Sequence, residues 1–450
     1  MSSSFLLTTT CLSWFVGGCR QEDLHKSTRT PEHTVQPFTA PVTDTRLQAL
    51  RSAVAEAPND LSRRWDLTHA LREAGRTREA AQQLSEISRR APDSETTLSA
   101  VGRAYFDLRL FADAEHVFHT LTQRWRNRAD GWEGLAGALY FQRRYLDAIE
   151  AARQCVKLAP NETKYRGLLA TALMEHALSS PGAPVYVDEL REARRELQGL
   201  AGSAADKGDY SLRLGRVSLS LGDSADAVRS LEYARRLNPV RMDVLYALLQ
   251  AYRSDGKVLY ARRIVEDGLN QRPDDAVLLD ARGQLILAED EPNANERAAK
   301  AFQAAVRLDP SRPQYHERLG AALIRQNRLS EAKEALLRSI ALDSHRTFAN
   351  QQLATLYLRQ GDRVRSAEYA AKANAISRSE TTLRHLQNLA SDHPADISLH
   401  FRLADAYLAL DHRSAALEEY RLIQRRDPKN ARARSAIATL PDTSLAAPRE

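Results

Sequence analysis

Only three cysteines, Cys11, Cys19 and Cys155, occur in 450 residues, which excludes a disulfide framework. No apolar run has the length of a membrane-crossing helix; the N-terminal stretch is too short and too polar. No run of five basic residues appears either. The net charge of +6 is a mild bias over 450 residues and reads as a solvated, arginine-rich helical surface. Nucleic-acid motifs are missing, so no nucleic acid is expected as a partner. Catalytic signatures are missing too: no GxGxxG, GxxxxGK[ST], HExxH or GxSxG occurs. His116 and His119 are three apart on one helical stretch, but the sequence supplies no third ligand, so they read as a surface pair. His385, His393, His400 and His412 show no metal spacing. No cofactor, metal or catalytic residue is expected.

What the chain does have is a helical hairpin, clearest at residues 129–160. Trp132, Leu135, Ala136 and Leu139 recur at three- and four-residue spacing and share one helical face. A basic, aromatic turn follows at Arg143, Arg144 and Tyr145. Ala148, Ala152 and Cys155 then line one face of a second helix, which stops at Pro160 because proline cannot continue it. Large residues face small ones, so two antiparallel helices can approach closely. Cys155 falls where a small buried residue is wanted, and its expected role is packing.

The hairpin recurs with a 34-residue period that insertions interrupt at three places. Units start at residues 61, 95, 129, 163, 208, 242, 276, 313, 347 and 397, with leucines, glycines, alanines and closing prolines in matching places. Gly102, Gly215, Gly283 and Gly320 repeat the small position, for example. These residues and this period resemble the tetratricopeptide repeat, a 34-residue helix-turn-helix unit. The resemblance implies an all-α, right-handed superhelical solenoid of about ten repeats, acting as a non-catalytic protein-interaction scaffold. A solenoid grows by addition, and no spare 100-residue stretch remains to house a catalytic domain.

Residues 1–18 hold a modest apolar segment that ends at Val16, Gly17 and Gly18, just before Cys19. That resembles the lipobox of a bacterial lipoprotein, which implies lipidation of Cys19 and a membrane anchor facing the periplasm. The segment carries no Lys or Arg, unlike most export signals. Two alternatives stay open: secretion without lipid, and a cytoplasmic protein whose start codon is misplaced. Residues 19–43, with Pro31, Pro37 and Pro41 and no periodicity, read as a disordered tether. Residues 44–60 read as a capping helix and its turn, then 61–378 as the repeat array. An insertion near 177–207 delays one partner helix; it reads as an edge insertion more than as a functional loop. A smaller acidic insertion stands at 289–293. Residues 379–396 read as an extra lone helix producing a bend or break. The last repeat is 397–430, and 431–450 form a capping helix and tail.

In the resembling family the first helix of each unit lines a concave groove. The matching positions give Trp65, His69 and Arg72, then Arg103 and Phe106, then Asp130, Glu133 and Tyr140. Later units give Arg216, Asp243, Tyr246, Gln250, Arg253, Asp280, Glu317, Phe348, Gln351, Phe401 and Asp405. The favoured binding set is Trp65, Arg72, Arg103, Phe106, Tyr140, Arg216, Tyr246, Arg253 and Phe401. Arginines that pair carboxylates and rings that pack apolar side chains suit protein or peptide partners. The family's chaperone-tail clamp needs Lys and Asn where this chain has Trp65 and His69, so that ligand is not expected. The alternative to an envelope scaffold is a soluble periplasmic or cytoplasmic adaptor that regulates an enzyme.

Overall fold

A computed structural model describes residues 44–179, 187–203, 208–288 and 293–440. Among these residues the chain is an all-α solenoid fold of 22 helices without a strand. It divides into two compact units, one ending at Glu175 and one beginning at His176. The signal segment, Cys19 and the tether lie outside the described residues, as do residues 180–186, 204–207, 289–292 and 441–450.

The first unit opens with α1 (Asp44–Glu56), which buries Leu47 and Val54 against Leu67, Ala70, Leu71 and Ala80. It is the expected cap on the first hairpin. Three hairpins follow: α2 (Leu61–Glu73) with α3 (Thr77–Arg90), α4 (Glu95–Asp107) with α5 (Phe111–Arg124), and α6 (Ala129–Phe141) with α7 (Tyr145–Leu158). Asp60 starts α2 by accepting from the Ser62 and Arg63 amides, and Ser94 starts α4 by accepting from Thr97. Helix α8 (Thr163–Ser179) runs across the division between the units.

The second unit contains α9 (Val187–Gln198) and then six hairpins. These are α10 (Asp209–Ser220) with α11 (Ser224–Leu237), α12 (Met242–Ser254) with α13 (Val258–Gln271), and α14 (Ala276–Leu287) with α15 (Ala294–Leu308). Then come α16 (Pro313–Arg325) with α17 (Leu329–Leu342), α18 (Thr347–Arg359) with α19 (Arg363–Asp392), and α20 (Ile397–Ala409) with α21 (Arg413–Arg426). Helix α22 (Ala431–Thr439) closes the unit, burying Ala433 in the core of the last hairpin.

One turn design recurs. The middle residue of the three-residue turn is left-handed: Gly75, Arg109, Arg143, Gly222, Gly256, Asn327, Gly361 and Asp411 all have positive φ. The next amide reaches back to the helix, as Arg76 N does to Leu71 O at 2.8 Å and Arg144 N to Leu139 O at 3.0 Å. This satisfies carbonyls that the helix end leaves unpaired.

One packing design recurs as well. A Cβ placed on Gly102 would sit 2.7 Å from the Phe118 ring, and one on Gly320 would sit 2.6 Å from Leu336. Gly134 of the next hairpin presses on the same Phe118 ring, so that ring is held from two sides. Cys155 is fully buried, its thiol 3.7 Å from the Ala129 carbonyl oxygen, and burial pushes that thiol's pKa far up. The packing role expected of it holds.

One expectation is corrected. The lone helix at 379–396, with a break before it, does not exist as a separate element. Helix α19 runs unbroken for 30 residues from Arg363 to Asp392. No glycine or proline interrupts that stretch, so nothing stops the hairpin's second helix from continuing into the extra segment. Its far end packs Leu383, Leu386 and Ala390 against Leu403, Ala404 and Tyr407 of α20.

Candidate concave binding site

The first helices of the first unit build one continuous feature. Trp65, His69 and Arg72 of α2, Glu95, Arg103 and Asp107 of α4, Arg128, and Asp130 of α6 line a cavity of about 500 Å³. The 34-residue period stacks equivalent turns of α2, α4 and α6 side by side, so side chains far apart in sequence share one concave face. Of the expected binding set, Trp65, Arg72 and Arg103 come together here.

Trp65 is half-buried and His69 exposed, with ring centroids 5.9 Å apart. They form an aromatic wall. Arg72 Nη1 donates to Asp107 Oδ2 at 3.1 Å, and Arg128 Nε donates to Glu95 Oε1 at 3.0 Å. Arg103 is exposed and has no hydrogen bond or ion pair among the described residues. Asp130 is half-buried and is likewise without a hydrogen bond or ion pair there. Two of three guanidiniums and two of three carboxylates are thus committed, and one of each remains.

Phe106 and Tyr140 do not join the site. They are 8 % and 9 % exposed and belong to an aromatic cluster at the hairpin turns. Phe106 meets the Phe111 and Phe141 rings edge-on at 5.2 Å, and Tyr140 meets Phe141 and Tyr145 at 5.3 and 5.6 Å. Arg72 and Arg253 occupy the same place in their own repeats and are exposed. The position lies on the rim between core and concave face. An apolar ring there turns inward to lose water contact, and a guanidinium turns outward to keep it.

In the second unit the expected residues are spread over several hairpins. Arg216 is half-buried. The Tyr246 hydroxyl donates to Asp275, and burial together with that carboxylate drives the phenol's pKa far up. Arg253 is exposed, and its charge acts on the buried carboxyl of Asp280. Asp280 is bound by Arg318 and by Gln284 at 2.7 Å. Burial nevertheless holds its pKa above the ordinary carboxylate value. Glu317 is paired with Arg346 at 2.8 Å. The Phe401 ring carries the Arg432 guanidinium 4.5 Å from its centroid, and Asp405 accepts from Arg432 at 2.7 Å. Phe348 is exposed. These acids and rings mostly staple one repeat to the next.

Glu95, Asp107 and Arg128 were not among the expected groove residues. Their signal was present: each ion pair joins residues about one repeat apart, 33 or 35 positions. Cys19 lies outside the described residues. His116 and His119 are both exposed, and among the described residues no group of three or more His, Cys, Asp or Glu is placed to hold a metal. No described helix is long and apolar enough to cross a membrane.

Stacked helical hairpins with a polar and aromatic concave face define a repeat scaffold. The family model of the tetratricopeptide repeat matches residues 100–163, 212–276 and 293–346, so these segments are tetratricopeptide repeats. No curated protein matches the sequence. Among solved structures, MamA residues 41 to end from Desulfovibrio magneticus RS-1 is 22 % identical, covering 39 % of this chain and 98 % of its own, with a TM-score of 0.35. The human IFIT1 dimer with m7Gppp-AAAA is 15 % identical, covering 85 % of this chain and 95 % of its own, at a TM-score of 0.42. Neither likeness bears on what this chain binds.

Proposed function

We propose that this chain is a non-catalytic scaffold that holds extended segments of partner proteins on its concave face. The observation that supports it is the cavity shared by α2, α4 and α6. A surface with an aromatic wall, spare charge and fixed neighbours is suited to binding rather than to mere solvation. The ion pairs Arg72–Asp107 and Arg128–Glu95 link neighbouring repeats along the cavity's rim.

The scaffold sits at the cell envelope, anchored by lipid on Cys19 and facing the periplasm. This part rests on Val16, Gly17, Gly18 and Cys19 in the sequence. One acyl chain gives marginal membrane binding and more than one gives stable anchoring. A diacylglycerol with an added amide-linked chain meets that condition.

Two measurements test the proposal. A photo-crosslinking side chain at Ala100, which lines the cavity, should capture a partner in the native host. The same group at the exposed Arg89 on α3 should not. Equal capture from both positions would move binding off the concave face. Cys19→Ser should abolish fatty-acid labelling and detergent partitioning while Cys11→Ser changes neither; an unlabelled, cytosolic wild type would end the envelope reading.

A further inference from the structure

The charge inventory of the α2–α4–α6 cavity narrows what it takes. Arg72 and Arg128 are held by Asp107 and Glu95, so neither is free to neutralise a ligand without breaking an existing pair. Arg103 is the uncommitted cation and Asp130 the uncommitted anion among the described lining residues. They do not pair with each other. Trp65 and His69 offer two rings side by side at the α2 side of the same cavity.

A complementary ligand carries one carboxylate for Arg103, which can grip it with two parallel N–H donors. It carries an N–H donor for Asp130, which a peptide backbone supplies. It also carries a flat apolar group for the Trp65 and His69 wall, where an aromatic ring packs offset or edge-on. A phosphate chain fits poorly. Its successive charges would face Glu95, Asp107 and Asp130, and like charges at close quarters oppose binding.

Resting on the groove reading above, we infer that this cavity binds an extended peptide segment bearing a single acidic side chain next to an aromatic one. The acidic side chain pairs with Arg103 and the ring lies against Trp65 and His69. A run of acids is disfavoured, because only one guanidinium is uncommitted.

Fluorescence anisotropy with the full chain and labelled hexapeptides tests this. The probes are Gly-Ser-Glu-Phe-Ser-Gly, its Gln-Phe and Glu-Ala counterparts, hexaglutamate, and an eight-nucleotide uridine RNA. The Glu-Phe peptide should bind saturably and at least about tenfold tighter than each other probe, the loss expected when a charged hydrogen bond goes unmade. Arg103→Gln should abolish the advantage of Glu-Phe over Gln-Phe with unchanged helical circular dichroism, since Arg103 is exposed. Trp65→Ala should abolish the advantage over Glu-Ala. Equal binding of Gln-Phe, unchanged Glu-Phe binding by Arg103→Gln, tighter binding of the RNA, or no saturable binding of any peptide would each overturn the inference. If Ala100 crosslinks a partner while the peptides show no preference, the ligand class alone is wrong. If Ala100 captures nothing more than Arg89 does, the groove reading falls with it.

Discussion

At the scale of single residues, two positions decide most. Gly102 and Gly320 are small because Phe118 and Leu336 occupy the space a Cβ needs. Phe118 is buried and is pressed by Gly134 as well, so it has nowhere to retreat. Gly102→Leu and Gly320→Leu should each destabilise by about 1–3 kcal/mol through overpacking, read as a lower midpoint in chemical denaturation. Unchanged midpoints in both would show that the repeat register is misplaced. His400 offers a pH signature. It is buried, with Nδ1 2.7 Å from Glu419 Oε2 and Nε2 2.8 Å from the Pro394 carbonyl oxygen. Burial drives the imidazole pKa down and the Arg426 charge adds to that. The hydrogen bond and charge of Glu419, with the Pro394 carbonyl, outweigh both and hold it above its ordinary value. A raised folded-state pKa contributes stability that is full below about pH 6.5 and is lost as pH rises through the folded value. Thermal melts should therefore show the second unit weakening from near neutral pH upward. His400→Gln should flatten that slope, and an identical slope in the variant would exclude His400 as its source.

At the scale of elements, the period made the hairpins legible and their junctions less so. The hairpin read at 129–160 appears as Ala129–Phe141 and Tyr145–Leu158, with Leu135, Ala136, Leu139, Ala148, Ala152 and Cys155 buried. Spacing alone shows which residues face inward when core and solvent alternate cleanly. It fails on rim positions, where Phe106 and Arg72 share a repeat place but take opposite sides, because side-chain chemistry decides there. It also missed the continuity of α19, although the absence of glycine and proline from 363–392 signals it. The far half of that helix does for α20 what α1 does for α2. Arg64 Nε donates to the Pro58 carbonyl oxygen at 3.1 Å and its Nη1 to Gln83 at 2.8 Å; His400 makes the equivalent pair of contacts. Asp60 and Asp396 cap the two following helices in the same way. Helix α19 therefore joins two separate cores, one around Leu353 and Tyr357 and one around Leu403 and Tyr407. Arg378 is exposed midway between them. Arg378→Pro should cost about 3 kcal/mol of helix stability, seen as lost hydrogen-exchange protection around residues 374–382 with both flanking cores still protected. Absent protection of the same residues in the wild type would mean the helix is already broken in solution, and full protection in the variant would contradict a continuous hydrogen-bond ladder through Arg378.

At the scale of the whole molecule, the chain builds surface rather than a single enclosed centre. The hairpins that hold Gly102, Gly215, Gly283 and Gly320 each bury a small-to-large contact of their own, and in the proposed reading function resides in what the successive first helices of a unit present together. The sequence predicted Trp65, Arg72 and Arg103 as binding residues, and the first unit brings them to one cavity. Glu95, Asp107 and Arg128, which set the cavity's charge, become visible only when neighbouring repeats are stacked. In the proposed reading partners are held on the first helices of the repeats, by Arg103 in the first unit and by Arg216 and Arg253 in the second. The most direct test is partner affinity of an Arg103→Ala, Arg216→Ala, Arg253→Ala protein at physiological salt, beside its circular dichroism. Arg103 and Arg253 are exposed and Arg216 half-buried, so helix content should stay unchanged while affinity falls at least about tenfold. Wild-type affinity in the triple variant would contradict binding through these arginines.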